Sequence, residues 1–296
     1  MEIFRFGFEA MASGCEVVFA SASKSEAQSI ARLAIEEIAR IEHKYSRYRQ
    51  DSIVARINAA AGHDGVSCDD ETVSLLQYAD TLFGSSDGLF DLTAGVLRKA
   101  WNFSRAVLPE AATLSPLLGL IGWQGVERKG NVVRLPIGGM ELDFGGFGKE
   151  YAADRAATLL YSQGVRHGYV NLAGDIRVVG PKPDGGPWMI GIQDPRHKGS
   201  IIASIPLSAG ALATSGDYER YFDLDGHRYC HILHPRTGYP VTFWRSVTVV
   251  APLAITAGSC TTIAMLKEAD ALSFLDDSGM GYLMVDHSGK IYHKNT

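Results

Sequence analysis

The stretch Met140–Gly164, MELDFGGFGKEYAADRAATLLYSQG, decides how the rest of the chain is read. Its opening residues have the look of a strand, Gly145, Gly146 and Gly148 supply a turn, and the alanine-rich run beyond Lys149 is helical until Gly164 closes it. A glycine turn feeding a helix, with a lysine in the first helical turn, is a plausible seat for a phosphate. Backbone N–H groups and the positive end of the helix dipole would face the anion. Neither standard phosphate motif fits. Asp143 and Glu150 stand where a P-loop needs Gly and Ser/Thr, and Tyr151 occupies the third glycine position of a dinucleotide fingerprint. On these residues alone, a phosphate seat and a tight structural turn remain equally open.

Outward from this centre, helices cluster at the two ends of the chain. SEAQSIARLAIEEIARIEHKYS carries an apolar stripe at Ala27, Ile30, Ala31, Ala34, Ile38 and Ile41, the spacing of an amphipathic helix. ETVSLLQYADTLFG places Leu75, Leu76, Ala79, Leu82 and Phe83 on a second inward face. Between the helices lie short β-rich runs, YVNLAG, IRVVG, WMIGIQD and IIASIPL. RYFDLDGHRYCHIL reads as a hairpin turning at Asp225-Gly226. SVTVVAP is a last strand that enters a helix near 257–267. GPKPDGGP at 180–187 is a surface loop. Strict βαβ alternation is absent, so an α+β fold of mixed or antiparallel sheet with flanking helices is expected, as one domain over residues 1–296.

Composition narrows the partners. The chain has 296 residues, 46% hydrophobic and 21% charged, with a net charge of −5. It lacks the basic surplus of a nucleic-acid binder. Cys15, Cys68, Cys230 and Cys260 lie far apart, which reads as reduced thiols in a reducing compartment. Ala12-Ser13-Gly14-Cys15 looks like a lipoprotein cleavage site, but Glu2, Arg5 and Glu9 interrupt the apolar run that a secretory signal needs. No stretch approaches a membrane span. A cytoplasmic protein is expected.

His231 and His234, in HILHPRTGYP, sit three apart in an extended segment and so point to opposite faces. A shared zinc ion is therefore not expected. No G-x-S-x-G elbow supports a serine hydrolase. ATSGDYERYF (213–222) and HPRTGYP (234–240) offer Gly, Thr, Ser and Arg donors to a phosphate, or simply end hairpins.

Taken in order, MASGCEV (11–17), YSRYRQDSIVARIN (45–58), GLFDLTAGVL (88–97), DFGGFGKEYAADRA (143–156), VNLAGDIRVVG (170–180), ATSGDYERYF, HILHPRTGYPV (231–241) and SVTVVAP (246–252) resemble the FAD:protein FMN transferases, or ApbE-like flavin transferases. The resemblance implies an α+β fold with an FAD cleft. It also implies magnesium-assisted cleavage of the FAD pyrophosphate and attachment of FMN to a threonine of an acceptor protein. Some members of the family are better described as FAD pyrophosphatases, which release FMN and AMP. By resemblance, Met11, Tyr48, Leu89, Phe90, Asp91, Asp143 and Lys149 contact FAD, with Leu89, Phe90 and Asp91 on its adenine–ribose side. His231 serves as general base, a task that an imidazole suits at neutral pH. Arg236 either holds a phosphate or forks onto a nearby carboxylate. The metal positions are the main-chain carbonyl of Gly146 together with positions 258 and 262.

Two positions depart from the family pattern. His234 replaces the Asp of D-P-R-T-G. The segment usually reading T-A-D-A-L-A-T is TAGSCTT (256–262) here, which keeps Thr262 but puts Gly258 in place of the acidic ligand. Magnesium strongly prefers carboxylate, phosphate and water oxygens. The change therefore points to a rebuilt metal site helped by Ser259 or Asp175 or to another divalent metal drawn by His234, to an FAD-binding protein without transfer activity, or to a protein that only hydrolyses FAD to FMN and AMP. Cys260, within the altered segment, is expected to be a buried apolar residue.

Overall fold

The computed structural model describes residues 1–295. In chain order, β1 (Glu2–Ala10) and β2 (Ser13–Ser21) form a hairpin, followed by α1 (Lys24–Tyr45), α2 (Ile53–Ala59), β3 (Val66–Ser67) and α3 (Asp70–Ser85). A 3₁₀ helix over Leu92–Lys99 leads to α4 (Ala111–Leu118), β4 (Glu127–Lys129) and β5 (Val132–Arg134). Then come α5 (Gly148–Ser162), β6 (Gly168–Leu172), β7 (Asp175–Gly180), β8 (Trp188–Gln193), β9 (Ile201–Leu207) and β10 (Ala211–Gly216). The chain ends with β11 (Tyr221–Leu224), β12 (His227–Cys230), β13 (Trp244–Ala251), α6 (Ala254–Lys267), α7 (Ala271–Ser278), β14 (Gly281–Asp286) and β15 (Ile291–Lys294).

Eight strands make the central sheet, in the order β1-β2-β6-β7-β10-β13-β14-β15, with antiparallel neighbours throughout. This is the α+β arrangement expected from the sequence. Alternation along each strand divides the core between two faces. Val17, Phe19, Val170 and Leu172 pack against α1 and α5, and Ala213, Val247 and Val249 pack against α6 and α7. On the opposite face, Val18, Tyr169, Ile176, Val178 and Leu212 meet the β8–β9 hairpin through Trp188, Ile190, Ile192 and Leu207. The charges that interrupt the N-terminal apolar run belong to the same pattern: Phe4, Phe6 and Phe8 face the core, while Arg5 and Glu9 alternate with them on an edge strand.

The predicted helices form where the apolar stripes place them. α1 buries Ala27, Ala31, Ala34, Ile38 and Ile41, with Ile30 at the margin. α3 buries Leu75, Leu76, Ala79 and Leu82, with Phe83 partly covered. Asp225 (φ 51°) and Gly226 (φ 78°) make the β11–β12 turn, and Gly164 (φ 89°) follows the end of α5.

One expectation fails at the centre of the chain. Residues 140–144 are not a strand. The Asn58 side-chain amide takes the place of a neighbouring strand, accepting from Leu142 N–H at 2.7 Å and donating to Leu142 C=O at 3.0 Å. Asp143 N–H goes to Leu92 C=O at 3.0 Å. The backbone is satisfied without a ladder, and so the segment lies between α2 and the 3₁₀ helix rather than in a sheet.

Candidate active site

The site grows from the N-terminus of α5. The Phe147 and Gly148 N–H groups are taken by the Phe144 carbonyl, at 3.2 and 2.7 Å, and no side chain caps the helix. The other N–H groups of a first helical turn have no intrahelical acceptor. Gly146 has to be glycine, because a Cβ there would lie 2.8 Å from the Phe90 ring, which packs beneath it. Lys149 reaches across to Asp175 at the start of β7, with Nζ 2.7 Å from Oδ2. Asp175 is 2% exposed and also accepts from Thr214 N–H at 3.3 Å. Burial favours loss of the lysine proton, but the Asp175 and Glu150 carboxylates outweigh it and hold the lysine pKa above its ordinary value. Lys149 is a fixed cation.

Helices α5 and α6 pack against each other with two acids between them. The Asp154 carboxylate accepts from Ala254 N–H and Ile255 N–H, both at 2.9 Å, and lies 3.1 Å from Arg177. One turn earlier on α5 and one turn later on α6, Glu150 presses against Gly258. A Cβ on Gly258 would lie 2.5 Å from Glu150 Cγ and 2.6 Å from its Oε1. Glu150 is 8% exposed, and its Oε2 has no hydrogen-bond partner. Burial, and then the charge of Asp175 beside it, raise the Glu150 pKa well above the usual carboxylate range.

Gly258, expected at the metal because it occupies the ligand's position, brings no side-chain donor. Its carbonyl already accepts the Thr261 hydroxyl at 2.8 Å, so what it contributes is space. Thr262, one turn further along the same helix face, is partly exposed. Ser259 points away from this group and bonds the Tyr78 hydroxyl at 3.1 Å, which removes it as a helper. Asp175 does belong to the group. Among the described residues, no cluster of three or more His, Cys, Asp or Glu side chains forms a metal site. An ion here would have to take part of its shell from carbonyl and hydroxyl oxygens.

A second group forms around Arg98, which the sequence reading did not single out. Asp143 lies 3.0 Å from Arg47 and 3.5 Å from Arg98, and Arg98 donates to the Tyr48 hydroxyl at 3.3 Å. Tyr48 is 77% exposed. His231 sits in the field of Arg98, Arg220 and Lys149. Burial first, then these cations, lower its pKa to about 4, and its Nδ1 is buried without a partner. Arg98 thus contacts Asp143 and Tyr48 and bears on His231 through its charge, residues that belong to three separate motifs. Its only signal in the sequence is its place at the end of GLFDLTAGVL.

The two histidines have different surroundings. His234 accepts from Arg236 N–H at 3.2 Å within the 234–238 turn, and the charges bearing on it are those of Glu268 and Arg236. It makes no contact with the Lys149 group that would let it replace the missing acid. Met11 and Ala12 form the β1–β2 turn in the left-handed region, at φ 53° and 58°. Such a turn ordinarily uses Asn or Gly, so the conformation is held at some cost in strain. Met11 N–H is fixed by Glu42 at 2.9 Å, and nearby Cys15 feels the charge of Lys149.

Leu89, Phe90 and Asp91 are less available than expected. The first two are buried in the core. Asp91 caps the 3₁₀ helix, accepting from Thr93 N–H at 2.7 Å and Trp123 N–H at 3.1 Å. Asp91 and Arg236 line a cavity of about 650 Å³ with Phe83, Gly88 and Gln124. Arg236 donates to the Asp87 carbonyl there rather than forking onto a carboxylate. This cavity does not include the start of α5, where the reactive groups gather. Cys260 is buried as expected, and burial pushes its thiol up to about 11. No helix among the described residues is long and apolar enough to cross a membrane.

Residues 11–284 match the model of the ApbE family. The FAD:protein FMN transferase of Klebsiella pneumoniae (strain 342) is 33% identical over 264 residues, 87% of this chain and 81% of that protein. The FAD:protein FMN transferase of Vibrio cholerae is 31% identical, across 83% of this chain and 75% of that protein. Among solved structures, the ApbE protein of Thermotoga maritima superposes with a TM-score of 0.91 at 33% identity, covering 99% of this chain and 97% of that one. The flavin transferase ApbE from Vibrio cholerae gives 0.89 at 26% identity, covering 99% and 97%. With its motifs in order, its fold matched end to end and its sequence covered from 11 to 284, the chain belongs to the ApbE family.

Proposed function

We propose that this protein transfers the FMN half of FAD to a threonine hydroxyl of an acceptor protein, with release of AMP. The observation that carries the reading is the meeting of Lys149, Asp175 and Glu150 at an uncapped helix start, with a buried His231 within the field of Lys149, in a chain whose relatives are named for this transfer. The diphosphate of FAD would lie against the first turn of α5, held by the free N–H groups and Lys149. The acceptor oxygen attacks the FMN phosphorus, the P–O bond to AMP breaks, and the hydroxyl proton passes to His231. That imidazole is neutral at pH 7, as a base must be, and a bound diphosphate would lift its pKa toward neutrality by offsetting the surrounding cations.

The residues present fit a hard divalent ion, because the Glu150 carboxyl group occupies the room left by Gly258 through Oε1 and carries a second buried oxygen, Oε2, without a partner. Gly146 through its carbonyl and Thr262 through its hydroxyl would help to hold magnesium, which when bound offsets the charge that builds on the diphosphate. A reducing compartment fits the four buried, unpaired thiols.

The test is incubation with FAD, Mg²⁺ and a threonine-bearing acceptor domain, read by mass spectrometry. An FMN adduct on the acceptor is expected, together with free AMP. Free FMN and AMP without an adduct would make the protein a pyrophosphatase, and intact FAD would make it an FAD binder.

A further inference from the structure

We infer that Glu150 supplies the metal-binding carboxylate of this protein, reaching from α5 into the space that Gly258 leaves open on α6. The inference rests on the metal-assisted reading above and names the residue that reading lacks.

Three observations carry it. The first is the contact itself: the Glu150 side chain lies where a Cβ on residue 258 would be, 2.5–2.7 Å from it. A side chain at 258 and the present position of Glu150 exclude each other, so Gly258 is the condition for Glu150 being there. The second is the orphaned oxygen. A carboxylate oxygen buried without a donor is costly, and proteins seldom leave one so unless something outside the chain completes it. One turn away in the same helix pair, Asp154 is fully bonded, so the packing of α5 on α6 does not itself prevent satisfaction.

The third observation is register. Asp154 meets Ala254 and Glu150 meets Gly258. The helices therefore run antiparallel, four residues forward on one for four back on the other. Beyond Gly258 on α6 comes Thr262, and ahead of Glu150 comes the 145–147 turn that leads into α5, so both lie toward the same end of the antiparallel pair. A carbonyl oxygen, a carboxylate and a hydroxyl then come to one end of the interface, all hard donors of the kind magnesium takes.

The acid has thus changed helices. GKE at 148–150 and TAG at 256–258 are two halves of one exchange, and neither half is interpretable without the other.

The test is Mn²⁺ binding to the full chain, followed by loss of the free-ion EPR signal, with and without ADP as a diphosphate probe, alongside the melting temperature. Changes outside the ligand shell already cost about 10–100-fold in metal affinity, so Glu150→Gln is expected to weaken Mn²⁺ roughly 100-fold or more while the protein stays folded. The exchange Glu150→Gly with Gly258→Asp, which returns the carboxylate to α6, is expected to bring affinity back to within about 10-fold of the original. Glu150→Gln that binds Mn²⁺ as tightly as the parent would overturn the assignment, as would a parent that binds none in either condition. Glu150-dependent Mn²⁺ binding without any FMN adduct would leave the assignment standing and sink only the transferase reading.

Discussion

Glu150 and Asp154 occupy the same helix, one turn apart, and both are buried against α6. Asp154 ends on two backbone N–H groups of the α6 start and an arginine. Glu150 ends on a glycine, and one of its oxygens bonds nothing. The difference separates a carboxylate that the fold uses from one that the fold merely tolerates. The first orders the start of a helix that lacks a capping side chain of its own. The second is held ready for something the chain does not contain. His231 belongs with Glu150 in this respect, because its buried Nδ1 is equally unsatisfied.

The most disruptive way to test the contrast is Gly258→Asp alone. The new side chain would overlap Glu150 and place a further acid beside Glu150 and Asp175. We expect a loss of about 4 kcal/mol in urea unfolding, combining overpacking with buried like charge. A variant as stable as the parent would mean that Glu150 moves freely and is not confined to its cradle.

Asp154→Ala follows. It removes two hydrogen bonds to the α6 start and leaves Arg177 without its partner, at an expected cost of about 3 kcal/mol by the same measurement. Glu150→Gln sits at the opposite end of the scale, within about 1 kcal/mol of the parent, since the group it replaces leaves an oxygen unbonded and the new amide N–H can donate to Asp175. Equal costs for the two variants would erase the distinction drawn here.

Between these extremes lies pH. The His231 imidazole titrates near 4 in the folded protein and near 6.5 when unfolded, so unfolding takes up a proton in that interval. The stability linked to it is complete above pH 6.5 and is lost as the pH falls toward 4, by about 3 kcal/mol in all. His231→Asn should flatten that part of the stability–pH curve. A curve of unchanged slope would place the histidine's depression elsewhere.

Much of the scaffold was legible beforehand, for identifiable reasons. The stripes of α1 and α3 follow from a period of 3.6 in a chain that must bury one face. Asp225-Gly226 announced its turn because few other pairs adopt positive φ twice in succession. Residues 140–144 misled because their composition suits a strand, while an amide 84 residues away satisfies their backbone instead. The Met11–Ala12 turn gave no warning either, since neither residue favours the left-handed region it occupies.

By itself, then, the sequence determined the helices that carry apolar stripes, the hairpin at Asp225-Gly226, the order of the motifs, and the absence of an acid at position 258. All of these are set by local periodicity, turn chemistry and counting along the chain. Only the tertiary structure decided what that absence means. Whether Glu150 is a failed phosphate-loop residue or a carboxylate housed by Gly258 depends on the packing of two helices far apart in sequence, and the contact between them is fixed by steric exclusion in three dimensions rather than by any preference of either residue.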